Sequence, residues 1–289
     1  MSHFTGIVIG TDIETQLAPY DENVREPEYK TGDVTEKDKT DMLVYYQREK
    51  NFTGTFEECW KQYGEDWNGN TWHNDENGVL SDYSTHNKKS KWDWYQLGGR
   101  WSGYFKVKDK IGGKLGNPGA FNNIPDDGTA DQLLKKHIDF EGMRKDAENK
   151  ATMMYDLVYP YIKDTPVNED WKTVTNRITD IDEARTFYHE QERVKAFKTI
   201  TDKKSDIFGW MPSVEDYNVT REQYIQSARD SEITTYCLIK DGEWHQRGEM
   251  GWFGMSSNEM SQEEWNKFVN DTLEALPDDT IISLVDFHI

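Results

Sequence analysis

The stretch SQEEWNKFVNDTLEALPDDTIISLVDFHI, residues 261–289, decides the fold class. Ser261 followed three positions on by Glu264 is a capping box, in which each residue satisfies a backbone N–H of the other at a helix start. Trp265, Phe268, Val269, Leu273 and Leu276 then recur at helical spacing, so the segment is an amphipathic helix with one apolar face. Leu276-Pro277-Asp278-Asp279 ends it. Thr280–Ile289 is apolar and β-branched, a strand that must be paired and covered. A helix with one apolar face beside such a strand requires a sheet with helices packed on it.

Working outward, Ile233–Ile239 reads as a strand, Asp241-Gly242 as a hairpin turn and Glu243–Arg247 as the returning strand. Residues 3–9, HFTGIVI, read as a buried strand, and Thr11 with Glu14 as a capping box for a short helix that Pro19 ends. Residues 101–108 alternate as a strand, and Gly98-Gly99 before them marks a bend where a backbone comes close to something. The expected fold is α+β: a mixed or antiparallel sheet from 3–9, 101–108, 233–247 and 281–289, packed helices, and a mostly helical insertion. Strands and helices do not alternate, which argues against a doubly wound sheet.

The expected division is an α+β core (1–23, 91–128 and 231–289), a polar loop and helix excursion (24–90) and the helical insertion (129–230). Within the excursion, residues 21–50 read as a mobile connection or partial helix. Thr55 and Glu58 form a capping box for a helix closed by Gly64. Residues 65–90, rich in Asn, Asp, Gly and Ser, read as loop. Within the insertion, Asp131–Met154 reads as two helical pieces broken at Gly142, and Asp182–Phe197 as one helix. Thr220 and Gln223 open another.

Composition limits function. The chain of 289 residues carries 54 Asp and Glu against 34 Lys and Arg, a formal net charge of −20. Leu, Ile, Val and Phe make up only about a fifth of it, but 11 Trp and 15 Tyr supply apolar area for a core. Such acidity disfavours direct nucleic-acid binding, which needs clustered Lys and Arg; it fits a solvated, solubilising surface, basic partners, or mimicry of a polyanion such as DNA. No apolar run is long enough to span a membrane, and the first residues lack the basic region of a signal peptide, so a cytoplasmic location is expected. Cys59 and Cys237 have no zinc spacing. Dinucleotide, P-loop, zincin, nucleophile-elbow and EF-hand motifs are all missing.

What remains are constellations. Lys91, Trp92, Asp93, Trp94, Arg100 and Trp101 lie in KWDWYQLGGRW, where a guanidinium among flat aromatics suits an anionic or base-containing ligand and Asp93 suits an ion-pair partner or general base. The same residues also make an aromatic core strand with one buried Arg–Asp pair. Asp286 and His288, two apart on a strand, share a face; if the strands near the two ends of the chain pair, His3 joins them as a weak metal or proton-sharing group. The alternative is simple edge polarity. Glu249 and Trp252 lie in GEMGWFG, an acid/base candidate beside a stacking surface, or a tight turn whose aromatics plug the core. His73 and His86 read as solvent-exposed, and Asp126, Asp127, Asp131, Asp139 and Glu141 as a solvated helix face. No cofactor is assigned by these residues.

MSHFT…VIG…QLAPYDEN (1–23), KWDWYQLGGRWSG (91–103), ADQLLKKHIDFE (130–141), GEMGWFG (248–254) and LPDDTIISLVDFHI (276–289) resemble a group of bacteriophage and bacterial proteins with no assigned activity. The resemblance covers the expected core but not 24–90 or about 145–230. It implies phage origin and an accessory role, and carries no catalytic residue over. Phe253 and Phe287 stand where the group usually has Trp and Cys, so a terminal Cys nucleophile is not implied.

Two functions are expected from these readings. The first is a phage-encoded accessory protein in the host cytoplasm that binds and modulates a host protein, for example in anti-defence. The second is an enzyme or sequestering protein for a nucleotide-like anionic small molecule, with Arg100 gripping the anion, Trp92 or Trp94 stacking, and Asp93, Glu249 or His288 moving protons. Self-association into an oligomer fits either.

Overall fold

Glycines, caps and alternation partition the chain into short elements. A computed structural model describes residues 2–108, 113–118, 127–208, 212–250 and 255–289. In order these are β1 (His3–Ile9), α1 (Ile13–Leu17), β2 (Arg25–Asp33), α2 (Glu36–Lys50), α3 (Phe56–Tyr63), β3 (Thr71–Asn74), β4 (Leu80–His86), β5 (Trp94–Gly99), β6 (Phe105–Lys106), β7 (Asn117–Pro118), β8 (Thr129–Ala130) and β9 (Gln132–Leu134). There follow α4 (Phe140–Ile162), α5 (Trp171–Arg177), α6 (Ile181–Glu190), α7 (Glu192–Lys203), α8 (Arg221–Ser231), β10 (Cys237–Lys240), β11 (Glu243–Gln246), β12 (Glu249–Met250), β13 (Ser256–Ser257), α9 (Gln262–Ala275) and β14 (Ile281–His288). The fold is α+β.

The chain divides into two compact units, one of residues 12–95 with 287–289, the other of residues 2–11 with 96–286. The larger unit is built on a mixed sheet ordered β11-β10-β1-β14-β5-β7, with β9 also paired to β14. β10 runs parallel to β1 and antiparallel to β11. Asp241 and Gly242 turn that hairpin with φ of 54° and 78°, the left-handed pair an Asp-Gly turn supplies. β9 pairs antiparallel with β14. Gly10 N–H donates to Ile281 O, and His3 meets Asp286 at the other end of the pairing, so β1 and β14 run antiparallel.

α9 covers the sheet as its spacing demands. Trp265, Val269 and Leu273 are buried in one cluster with Ile7, Leu238, Ile282 and Leu284. Burying each Leu, Ile or Val side chain stabilises by roughly 1.5–3 kcal/mol. The Trp265 indole N–H donates to Thr235 O at 2.7 Å, so its polar atom is satisfied as well. α4 buries Met143, Ala147, Ala151, Tyr155, Val158 and Ile162, a continuous helical stripe. Its lower part joins a second cluster with Phe197, Ile200 and Tyr217.

The smaller unit holds a three-stranded antiparallel sheet, β2-β4-β3. Met42, Tyr46, Cys59 and Trp72 form its core with α2 and α3, and Tyr63 stacks on Tyr46 at 3.9 Å. The capping boxes at Thr55, Thr220 and Ser261 are all present, and Thr35 adds a fourth.

Several local expectations are corrected. Residues 65–90 are not loop but contain the β3–β4 hairpin. Its strands are so polar that only Trp72, Ser81 and Ser84 are buried, while the Asp75 carboxylate accepts the N–H groups of Asn77 and Val79 and closes the turn. Residues 21–50 hold β2 and the full helix α2. Asp12, not Thr11, caps α1, accepting Thr15 N–H. The strand expected at 101–108 shrinks to β6, which pairs with β8 outside the main sheet, and the sheet strand lies earlier, at β5. Residues 129–134 hold the strands β8 and β9, and after a 3-10 turn at Lys135–His137 the α-helical run begins at Phe140, in the same unit as the main sheet. Gly142 does not break α4. It sits in the first turn, where a Cβ would lie 2.0 Å from the capping Asp139 carboxylate. Residues 182–197 are two helices, because Gln191 is extended (φ −61°, ψ 138°) and its side chain accepts Glu169 N–H.

Candidate functional site: a turn held by two buried aspartates

The site begins with two glycines. β5 ends at Gly98 and Gly99, with φ of 70° and 54°, a left-handed pair that favours glycine. Space demands the same residue. A Cβ on Gly98 would lie 2.3 Å from the Asp131 carboxylate, and one on Gly99 2.3 Å from that of Asp286. The expected close approach is therefore to two carboxylates, one on each glycine.

Asp131 is fully buried between β8 and β9. Its Oδ1 accepts the N–H groups of Gly103 (2.7 Å) and Tyr104 (3.2 Å). Its Oδ2 accepts the Ser102 hydroxyl (2.7 Å) and Gly116 N–H (2.8 Å). Four donors from two segments thus converge on one carboxylate, so that both of its buried oxygens are satisfied. The reading of Asp131 as part of a solvated helix face is overturned: Asp139 caps α4, Glu141 pairs with Arg229, Asp126 lies outside the described residues, and Asp131 is core. The missed signal is its position between Ala130 and Leu133, opposite a glycine-rich segment whose N–H groups need an acceptor.

Asp286, 1% exposed on β14, holds the other side. Its Oδ2 accepts Arg100 N–H at 2.9 Å, and its Oδ1 meets His3 Nδ1 at 2.8 Å. Between the two aspartates the chain turns tightly, with Trp101 N–H on Gly98 O and Ser102 N–H on Gly99 O. Tyr104 anchors the exit through its hydroxyl on Glu232 O, and burial pushes that phenol's pKa up. At the tip, Arg100 is half-buried and Trp101 is 37% exposed.

The other candidate residues separate. In the smaller unit, Asp93 Oδ1 meets His288 Nδ1 at 2.6 Å, and Asp93 N–H donates to His288 O. Asp93, read as an ion-pair partner or a general base, is thus paired with a histidine of its own unit. Trp92 is not a stacking surface: it is 7% exposed, packed edge-on to Tyr95, with its N–H on Leu17 O. Trp94 is 43% exposed. Lys91 is half-buried, its backbone N–H on Tyr20 O. His73 and His86 are exposed on β3 and β4, next to Glu28 and Arg25. Glu249 accepts Asn258 Nδ2 and lines a cleft of about 410 Å³. Trp252 and Phe253 lie outside the described residues.

The expected grouping of His3, Asp286 and His288 resolves into two carboxylate–imidazole pairs, each within its own unit. Among the described residues no three His, Cys, Asp or Glu side chains group to hold a metal ion. No described helix is long and apolar enough to cross a membrane. No protein family, curated protein or solved structure matches the chain.

Proposed function

We propose that the protein is a phage-encoded accessory protein that binds and modulates a host protein, and that the Gly98–Tyr104 turn is a binding element. The supporting observation is that the buried carboxylates at this turn serve its own backbone. Asp286 takes Arg100 N–H and Asp131 takes those of Gly103 and Tyr104. Carboxylates used in this way fix a turn in one conformation. Arg and Trp are the side chains that most often carry binding energy at protein interfaces, and a pre-ordered turn loses less entropy on binding. The net charge of −20 favours basic partners and speeds their encounter. Counter-defence is one role such binding serves. The test is capture of host proteins on the immobilised chain, comparing wild type with Trp101→Ala. The reading expects one host protein at stoichiometric yield with wild type and a large loss with the variant. Equal capture by both removes the turn from the interface.

A second reading, proton transfer on or sequestration of a nucleotide-like anion, is favoured by the Asp93–His288 pair. A carboxylate that orients an imidazole is the basic half of many proton-transfer sites. This reading expects a nucleotide-like compound in the extract of the denatured, purified protein, and its loss from His288→Ala. An extract free of such compounds, with no nucleotide binding by calorimetry, rejects it.

A further inference from the structure

In the larger unit, α8 and α9 line a solvent-open cleft of about 1050 Å³, with Arg144 of α4 and the Glu215–Asp216 turn contributing to its wall. Small-molecule pockets usually span about 300–1,000 Å³ and enclose their ligand. An open cleft of this size suits an extended occupant.

Its charges are unequally matched. The cations are already engaged. Arg229 clamps Glu141 at 2.8 Å and Glu148 at 2.7 Å, Lys267 pairs with Asp271 at 2.6 Å, and Arg144 holds Asn270 at 2.9 Å and Glu274 at 3.5 Å. Of the lining carboxylates, Glu274 has that cation, while Glu215, Asp216, Asp230 and Glu263 have none among the described residues. Among the described residues Glu215 is held by neutral side-chain donors, the Tyr188 and Ser213 hydroxyls and the Asn168 amide. The Asp230 carboxylate receives the Gln226 amide, and its backbone oxygen that of Asn270. Asp216 and Glu263 have no ion-pair partner among the described residues. Burial and the neighbouring Glu215 push the Asp216 carboxyl above the usual value, as expected for an acid short of positive charge. Gln223 and Gln262 also line the cleft; the Gln223 oxygen is taken by Thr220 N–H and the Gln262 amide N–H by Asn266, which leaves the Gln223 amide N–H groups and the Gln262 oxygen to meet a peptide backbone.

We infer that this cleft takes a lysine- and arginine-rich peptide segment of a partner protein, the basic side chains meeting Asp216, Asp230 and Glu263. The inference rests on the binding reading above and names the partner chemistry. It concerns a surface separate in sequence from the Gly98–Tyr104 turn.

The test is fluorescence anisotropy of a labelled twelve-residue peptide alternating Lys, Arg and Ala, titrated with the full chain at low and at physiological salt. Wild type is expected to bind, more weakly as salt rises. Asp230→Asn with Glu263→Gln is expected to weaken binding at least about tenfold. Glu22→Gln with Glu76→Gln removes the same charge from exposed sites elsewhere and is expected to leave binding unchanged. No binding by wild type, or equal loss in both double variants, overturns the inference. So does displacement of the peptide by equimolar spermine, which would make the ligand a small polyamine. Trp101→Ala separates the two proposals. If it abolishes host-protein capture while peptide binding persists, both stand. If host capture never occurs but the peptide binds the cleft, only the binding reading falls. If host capture depends on Trp101 and the cleft variant binds peptide normally, only the cleft inference falls.

Discussion

Asp286 accepts the backbone N–H of Arg100 at 2.9 Å, joining two residues 186 positions apart in the chain. The bond fixes the start of the turn, and Asp131 fixes its end. Stability and display are therefore linked at this site: whatever loosens either carboxylate loosens the turn that carries Trp101.

Replacing Asp131 by Ala leaves the partly buried N–H groups of Gly103, Tyr104 and Gly116 without their acceptor. Each unsatisfied donor costs roughly 1–3 kcal/mol, so a loss of about 3 kcal/mol or more is expected in denaturant unfolding. Ser102→Ala removes a single hydroxyl donor and is expected to cost about 1 kcal/mol. Equal effects of the two substitutions would contradict the geometry.

Gly99→Ala and Gly78→Ala separate crowding from backbone strain. Both residues have positive φ, but a Cβ on Gly78 meets nothing within 4 Å, whereas one on Gly99 meets the Asp286 carboxylate. Gly78→Ala is expected to cost only the left-handed penalty of about 1–2 kcal/mol. Gly99→Ala should cost clearly more, read as a larger drop in melting temperature. Indistinguishable melts would show that the carboxylate can move aside.

Acid should destabilise the protein through its caps and ion pairs. Asp12 and Asp170 are held below the ordinary Asp value of 3.8 by hydrogen bonds with Thr15 and Thr173, respectively. Glu141 is held below its ordinary 4.5 by Arg229. For an acid lowered on folding, the contribution is full above the ordinary value and is lost as pH falls through the folded one. Asp66 and Glu232, raised by burial, act oppositely: their share favours the folded state at low pH and declines as pH rises through the raised values. The lowered acids are the more numerous, so the denaturant midpoint should fall between about pH 5 and pH 3. Asp170→Asn, which keeps the cap but cannot titrate, should flatten part of that fall.

Trp265→Phe keeps most of the buried ring but removes the N–H that donates to Thr235 O. The stranded carbonyl is expected to cost roughly 1–3 kcal/mol by denaturant unfolding. A neutral result would mean that water reaches this carbonyl beneath α9.

The parts of the fold legible in the sequence were those in which one residue type has one physical use. Ser261 with Glu264, followed by Trp265, Val269 and Leu273, specifies a capped amphipathic helix. Asp241-Gly242 specifies its turn, and the meeting of His3 with Asp286 follows from pairing the strands that carry them. The hairpin around Trp72 and Tyr83 was hidden because its strands are almost as polar as loops. Gln191 was hidden because its extended backbone answers to a side-chain bond with Glu169, which no periodicity records.

The site was half legible. Gly98-Gly99 announced a close approach, but not to what, since Asp131 and Asp286 are distant in sequence and look like any surface acids. Trp92 stayed open between a ligand surface and a core strand because a buried and an exposed Trp are spelled alike; its burial and the bond from its ring N–H to Leu17 O make it core.

The most direct test of the binding reading is quantitative capture from host lysate with wild type and Trp101→Ala, each first shown to melt at the same temperature. The account predicts one stoichiometric host protein on wild type and its loss from the variant. The same protein captured equally by both, or no protein and only a bound small molecule in each, would contradict it.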